Sequence, residues 1–154
     1  CAYPAVQLEE LARLYRATGD LELVHAKLQQ QFESLLRDQL QLTDEVVEDI
    51  VDRGWGSAGV LEGDTITATK IPKSGYLLRY LEETDPEEKR KLYCHCPRVR
   101  DVVGTDEPVH PIYCYCGAGF YKNIWETILG RPVEVEVLES VLAGDDVCKV
   151  VVRL

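Results

Sequence analysis

The stretch CGAGFYKNIWETILG (residues 116–130), followed by RPVEVEVLES (131–140), decides the fold. Apolar side chains recur in its first part at helical spacing, which predicts a helix over residues 118–129. Gly130 ends that helix, and Pro132 prevents its return. Valine then alternates with glutamate from residue 133 to residue 137, as expected for a strand with one solvated face.

The residues on either side extend this pattern. AGDD (143–146) predicts a turn, and residues 147–154 predict a second strand that pairs with the first as a hairpin. Upstream, Tyr113 to Cys116 predicts a short strand that ends at Gly117. The last third of the chain is therefore predicted to place a helix against an antiparallel sheet.

The N-terminal third is predicted to be helical. One helix ends at Gly19, a longer one runs from about Asp20 to Leu40, and Thr43 caps a third. The apolar stripe of the long helix indicates a face buried in the core. A homodimer seam is the alternative, although three clean heptads are not present.

The middle of the chain supplies the remaining elements. Residues 64–71 alternate as a half-buried strand, and Asp85 and Pro86 begin another helix. No repeat or linker interrupts the chain. We therefore expect one α+β domain over residues 1–154, helical over about 1–54 and mixed over about 55–154, with the helices packed on an antiparallel sheet.

Composition narrows the classes of partner. The formal net charge of the 154 residues is −10, which disfavours binding to nucleic acid or to an anionic membrane. No apolar run approaches the roughly 20 residues of a spanning helix. No signal peptide is visible in the opening residues CAYP, so we expect a cytoplasmic protein with reduced cysteines.

Two Cys-x-Cys pairs are the main candidate for chemistry. Residues i and i+2 of an extended strand point to one side, so each pair can aim two sulfur atoms in one direction. Four thiolates around one ion favour zinc, with an iron–sulfur cluster as the alternative. The predicted metal ligands are Cys94, Cys96, Cys114 and Cys116.

Three observations keep other roles open. Zinc ligands are usually separated by two to four residues, which Cys-x-Cys does not satisfy. Cysteine is also among the most buried residue types, so the pairs could simply pack in the core. A strained Cys-x-Cys disulfide could instead act as a labile redox pair.

Cys116 has a further feature, because it precedes GAG (117–119) at the start of the predicted helix. The partial positive charge of a helix N-terminus lowers the pKa of a thiol and can bind an oxyanion. Such a cysteine could be a nucleophile, with His95 or His110 as its base. Nothing in the sequence places either histidine beside Cys116, so we rank this hypothesis below metal binding.

Aromatic residues are frequent around the cysteines. Their polar tips and apolar rings suit a pocket for a small molecule, although each could also be an ordinary core residue. The candidates for ligand binding are Tyr93, Tyr113, Tyr115 and Trp125.

The segments CGAGFY (116–121), GRPVEVEVLES (130–140) and AGDDVCKVVV (143–152) resemble the 4-vinyl reductase-like domains. The resemblance covers about residues 113–154. It implies a fold similar to haem–NO-binding domains and a role as a small-molecule sensor or accessory module. No output domain is visible, so a regulatory role would need a partner chain.

Some of these domains carry a structural zinc near the pocket. The resemblance implies that Cys148, on the last strand, is one zinc ligand, and that Cys114 or Cys116 is another. The other ligands of the family lie on the penultimate strand, where this chain has Val137 and Ser140. We expect Cys94 and Cys96 to replace them.

The cysteine-rich pattern also looks like the L-2-amino-thiazoline-4-carboxylate hydrolase-like group. That resemblance implies the alternative function, a cysteine-dependent hydrolase of a small cyclic amide- or thiazoline-like substrate that uses Cys116. The first expectation is a small-molecule-binding sensor or accessory module with a metal bound by cysteine.

Overall fold

The computed structural model describes residues 3–154, and Cys1 and Ala2 lie outside the described residues. The described chain is α+β, with helices packed on one antiparallel sheet. The helices are α1 (Ala5–Thr18), α2 (Leu21–Ser34), α3 (Asp44–Asp52), α4 (Leu77–Glu82), α5 (Pro86–Tyr93), α6 (Pro97–Arg100) and α7 (Tyr115–Leu129). The strands are β1 (Val60–Glu62), β2 (Thr65–Thr69), β3 (Glu134–Glu139) and β4 (Lys149–Arg153).

The helical start of the chain confirms the sequence prediction. Gly19, at φ 63°, ends α1 and donates its N–H to Tyr15 O. The Asp20 carboxylate accepts the N–H of Leu23 and so caps α2. The long helix predicted to reach Leu40 consists of two parts. The α-helix ends at Ser34, and a π-helical turn over Leu35–Gln39 continues it.

The sheet has the strand order β1-β2-β4-β3, and every neighbouring pair is antiparallel. The predicted hairpin is present, since Val135 pairs with Val152 and Val137 with Val150. The predicted middle strand is β2, which pairs with β4. The three-residue strand β1 was not predicted, because it is too short to show an alternating pattern.

Helix α7 packs its apolar face on α1 and on the sheet. Trp125 and Ile124 are fully buried there, together with Val152 of the central strand β4. Each such side chain contributes roughly 1.5–3 kcal/mol when it is removed from water. This main core fixes the position of the first turn of α7, where Cys114 and Cys116 lie.

A second core lies beside the first and positions the other cysteines. It is built around Trp55, Tyr80 and Tyr93, whose rings contact one another with centroid distances of 5.8–6.3 Å. Cys94 is a buried member of this cluster. The end of α5 is therefore anchored by aromatic packing immediately before the first cysteine pair.

The prediction of a strand over residues 113–116 is wrong. A 3₁₀ turn over Pro111–Cys114 leads directly into α7, which begins at Tyr115, three residues before the predicted start. His110 Nδ1 accepts the N–H of Ile112 and Pro111 occupies the first helical position, so the backbone is already helical here. Four alternating residues are too few to outweigh these local signals.

Among residues 3–154, no helix is long and apolar enough to cross a membrane.

Candidate cysteine-lined site

Five cysteines line one cavity of about 220 Å³. We refer to it as the cysteine cavity. Three separate segments of the chain supply these cysteines: the turn after α5, the start of α7 and the residue before β4. The loop between the two Cys-x-Cys pairs therefore folds back, as metal binding would require. The cysteines are Cys94, Cys96, Cys114, Cys116 and Cys148.

The first pair lies in a turn between two helices. Cys94 ends α5 and Cys96 precedes α6, and both have extended backbone angles. The guanidinium of Arg100 donates two hydrogen bonds to Cys94 O, at 3.0 and 2.8 Å, and stacks on Tyr76. A charged, bidentate donor thus holds this turn closed.

The second pair, Cys114 and Cys116, lies on helical backbone. The prediction that both sulfur atoms point in one direction assumed an extended strand, and that assumption is wrong. Successive residues of a helix are rotated by about 100°, so Cys114 and Cys116 do not point in one direction. Cys114 is half-buried, whereas Cys116 is exposed in the first turn of α7. The two sulfur atoms therefore differ in access to solvent.

Two hydrogen bonds of its own backbone hold Cys148 in place. Its N–H donates to the Tyr93 hydroxyl at 3.0 Å, and its carbonyl accepts the N–H of Lys70 at 3.0 Å. The Tyr93 hydroxyl in turn donates to Lys70 O. One tyrosine therefore joins the residue after β2 to the residue before β4, at the wall of the cavity.

The inner thiols are held in their neutral form. Burial raises the pKa of Cys94, and negative charge on Cys96 and Cys114 would raise that pKa further. Burial also raises the pKa of Cys148 to about 11, with Cys114 and Cys94 acting in the same direction. Cys114 is thus close enough for its charge to act on both thiols.

The donors face a common space, but they do not surround an ion as they stand. Among residues 3–154, no group of three or more His, Cys, Asp or Glu side chains has the arrangement of a metal site. The chemistry of the donor set suits a soft metal, since all five donors are sulfur. Uptake of an ion would require side-chain rotations that bring the sulfur atoms to about 2.3 Å from it.

His95 also lines the cysteine cavity, whereas His110 is an exposed loop residue outside its lining. The Nε2 atom of His95 donates to Ile71 O at 2.8 Å. Burial and the positive charge of Lys70 lower the pKa of His95 to about 4. The imidazole is therefore neutral at pH 7 and is a weak base.

The four aromatic candidates separate into two groups. Tyr93 and Tyr113 line the cysteine cavity. Trp125 does not, because it is fully buried in the main core and stacks on His25. Tyr115 is exposed outside the cavity lining. The prediction rested on nearness in sequence, which does not show the direction of a helical side chain.

Lys70 is the residue of the cavity wall that sequence reasoning missed. It lines the cysteine cavity, and a Cβ atom added to Gly117 would lie 3.5 Å from its Nζ atom. A single lysine after a strand carries no recognisable motif. Val137 and Ser140, where the resemblance places zinc ligands, also line this cavity but offer no strong metal donor.

One comparison with known proteins gives a match. Residues 87–154 are similar to a protein family described as a family of unknown function (DUF6144), and this segment contains all five cysteines of the cavity. No curated protein and no solved structure matches the chain. The resemblance to 4-vinyl reductase-like domains therefore stays a prediction.

Proposed function

We propose that the protein is a small-molecule-binding sensor or accessory module whose cysteine cavity binds a metal, with zinc as the first candidate and an iron–sulfur cluster as the second. One observation carries the proposal: cysteines from three segments far apart in the chain line a single cavity. One cysteine in a core needs no special explanation, but five in one small cavity do.

The sulfur donors of the cavity support a metal ion as its occupant. Burial and mutual repulsion keep the Cys94 and Cys148 thiols neutral. A divalent ion reverses this preference because it bonds to thiolates, and each ligand then releases its proton. Metal bound only by the folded chain would also stabilise it, since the sites are dispersed in the unfolded state.

The structure favours a revised ligand set. Cys116, one of the four predicted ligands, is the exposed member of the group. Cys148 is half-buried, and its pKa responds to charge on Cys94 and Cys114. The proposed ligands are therefore Cys94, Cys96, Cys114 and Cys148, with Cys116 at the mouth of the cavity.

The rest of the wall suits a small molecule beside the metal. Val99, Val137 and Val150 provide apolar surface, and Tyr93 and Tyr113 provide aromatic surface. A cytoplasmic location, which we also propose, would keep the thiols reduced and able to bind metal.

Elemental analysis of protein purified without chelator tests the metal. We expect about one zinc per chain, lost in Cys96→Ser and in Cys148→Ser. Cys116→Ser is the matched control and should keep its zinc, because that sulfur is exposed. Folded wild-type protein that neither contains zinc or iron nor binds zinc on titration would contradict the proposal, as would equal zinc binding by all three variants.

The exposure of Cys116 favours the second candidate, a cysteine hydrolase. With a cyclic amide, its thiolate would attack the carbonyl carbon, the ring C–N bond would break with a proton going to nitrogen, and water would cleave the resulting thioester. With a thiazoline, attack at the C=N carbon and cleavage of the ring C–S bond, with a proton going to sulfur, would give a thioimidate that water then cleaves. His95 lines the same cavity, but its low pKa makes it a poor proton acceptor. Rapid alkylation of Cys116 at neutral pH, in folded protein that contains no metal and binds neither zinc nor iron on titration, would favour this candidate.

A further inference from the structure

A second cavity, of about 200 Å³, lies on the other side of Lys70 and His95. We refer to it as the aromatic cavity. Rings and aliphatic side chains from the residues just before α1, from α2 and the π-helical turn after it, and from α7 form most of its wall. Its apolar lining includes Phe32, Leu35, Ile71, Phe120 and Tyr121.

The shape of one wall depends on Gly56. This residue has φ 127°, and the Phe32 ring occupies the space that a Cβ atom would take. The Tyr121 hydroxyl donates to Gly56 O at 3.1 Å, and Gly56 donates its N–H to Thr69 O at 2.8 Å. The Tyr121 hydroxyl therefore already donates its proton to the backbone, and the ring of Tyr121 contributes apolar surface to the cavity.

Lys70 is the charged group of the aromatic cavity. Among residues 3–154, its ammonium group forms no ion pair and no side-chain hydrogen bond, although seven other basic–acidic contacts are present. No aspartate or glutamate lines the cavity, in a chain of net charge −10. A half-buried cation without a counterion favours an anionic occupant.

The other polar groups of the wall cannot supply that counterion. His95 donates from Nε2 to Ile71 O, and an imidazole carries no negative charge. Ser57 is buried, and among the described residues its hydroxyl has no hydrogen-bond partner. A hydroxyl without a partner can donate to an acceptor that enters the cavity.

We propose that the aromatic cavity binds an apolar monocarboxylate, with the carboxylate on Lys70 and the hydrocarbon part among the rings. An amine would be repelled by Lys70, and a neutral alcohol would leave the ammonium group unpaired. A wall whose described residues include one lysine and no arginine suits one negative charge, not two. This site is separate from the metal site and needs no metal, although Lys70 and His95 form a wall common to both cavities.

Titration with octanoate and with 1-octanol, followed by calorimetry and by methyl NMR of metal-free protein, tests the inference. The two probes share a hydrocarbon chain and differ in charge. We expect octanoate to bind at least about tenfold more tightly, which corresponds to one charge-assisted contact. The methyl signals of Leu35 and Ile71 should shift, whereas those of Val137 should stay unchanged.

Two variants make the test specific. Lys70→Met keeps the aliphatic stem, and we expect it to abolish the preference for octanoate. Lys73→Met is the matched control, because Lys73 is also half-buried but lines neither cavity, and it should keep the preference. A well-dispersed spectrum confirms that each variant is folded.

Three results would overturn the inference. They are absence of octanoate binding to folded wild-type protein at millimolar concentration, equal affinity for the two probes, and shifts confined to Val137 and its neighbours in the cysteine cavity. None of these results bears on zinc content, so the metal proposal and this one can fail separately.

Discussion

The main core and the cysteine cavity are built in different ways. The main core joins a 15-residue helix to the sheet, and its stability comes from apolar side chains with almost no exposure. Much of the wall of the cysteine cavity consists of short turns held by a few polar contacts, such as those of Arg100 and Tyr93. Global stability therefore depends on the first region, and the geometry of the site depends on the second.

Truncation in the main core should have the largest effect. We expect Trp125→Ala to lower the free energy of unfolding by about 4 kcal/mol, because it leaves a large hole in a fully buried region. Chemical denaturation measures this change. Zinc stoichiometry below the unfolding transition should stay at the wild-type value, and a loss of zinc from folded Trp125→Ala would show that the two regions are not separable.

Removal of one hydroxyl at the cavity wall should have an intermediate effect. Tyr93→Phe leaves Lys70 O and Cys148 N–H without their partner, and we expect a loss of about 2 kcal/mol in stability and weaker zinc binding. Denaturation and a zinc competition titration measure the two effects.

Tyr80→Phe is the matched control for that variant. Its ring packs on Tyr93 at 5.8 Å, and among the described residues its hydroxyl makes no hydrogen bond. We expect a change within about 0.5 kcal/mol and unchanged zinc affinity. Equal effects of the two substitutions would refute the role given to the Tyr93 hydroxyl.

Alkylation of the thiols should show the smallest difference, one of rate and not of stability. In metal-free protein at pH 8, we expect exposed Cys116 to react with iodoacetamide faster than Cys148, whose raised pKa of about 11 keeps it protonated. Between pH 8 and pH 10 the rate at Cys148 should rise about tenfold per unit, as its thiolate fraction grows.

Peptide mass spectrometry can follow both cysteines at once. Added zinc should protect Cys148 and leave Cys116 reactive. A flat pH profile at Cys148, or protection of Cys116 alone, would contradict the arrangement proposed for the cavity.

The sequence was informative where a pattern was long, or where a residue that starts or ends helices marked its boundary. The helix that ends at Gly130 and the hairpin that follows were predicted from periodicity and from one glycine. Asp85 and Pro86 predicted the start of α5, which the structure confirms through the N–H groups of Glu87 and Glu88. These signals are local, so they can be read without a tertiary structure.

Long-range contacts could not be predicted in the same way. Cys148 shares a cavity with Cys94 because β2 pairs with β4 and because the Tyr93 hydroxyl binds the Cys148 N–H. No local sequence pattern encodes either contact. Lys70 was missed for the same reason. At residues 113–116, alternation suggested a strand, but Pro111 and the His110 side chain had already set a helical backbone.

The strand order has a consequence for synthesis on the ribosome. Of the four strands, β4 is made last and lies between β2 and β3, so these two strands are translated before the strand that joins them exists. The sheet can then close only after residues 149–153 have emerged, and the same step delivers Cys148 to four thiols that were made earlier. These four thiols would thus stay uncovered until β4 joins the sheet, so metal loading would belong to the end of folding.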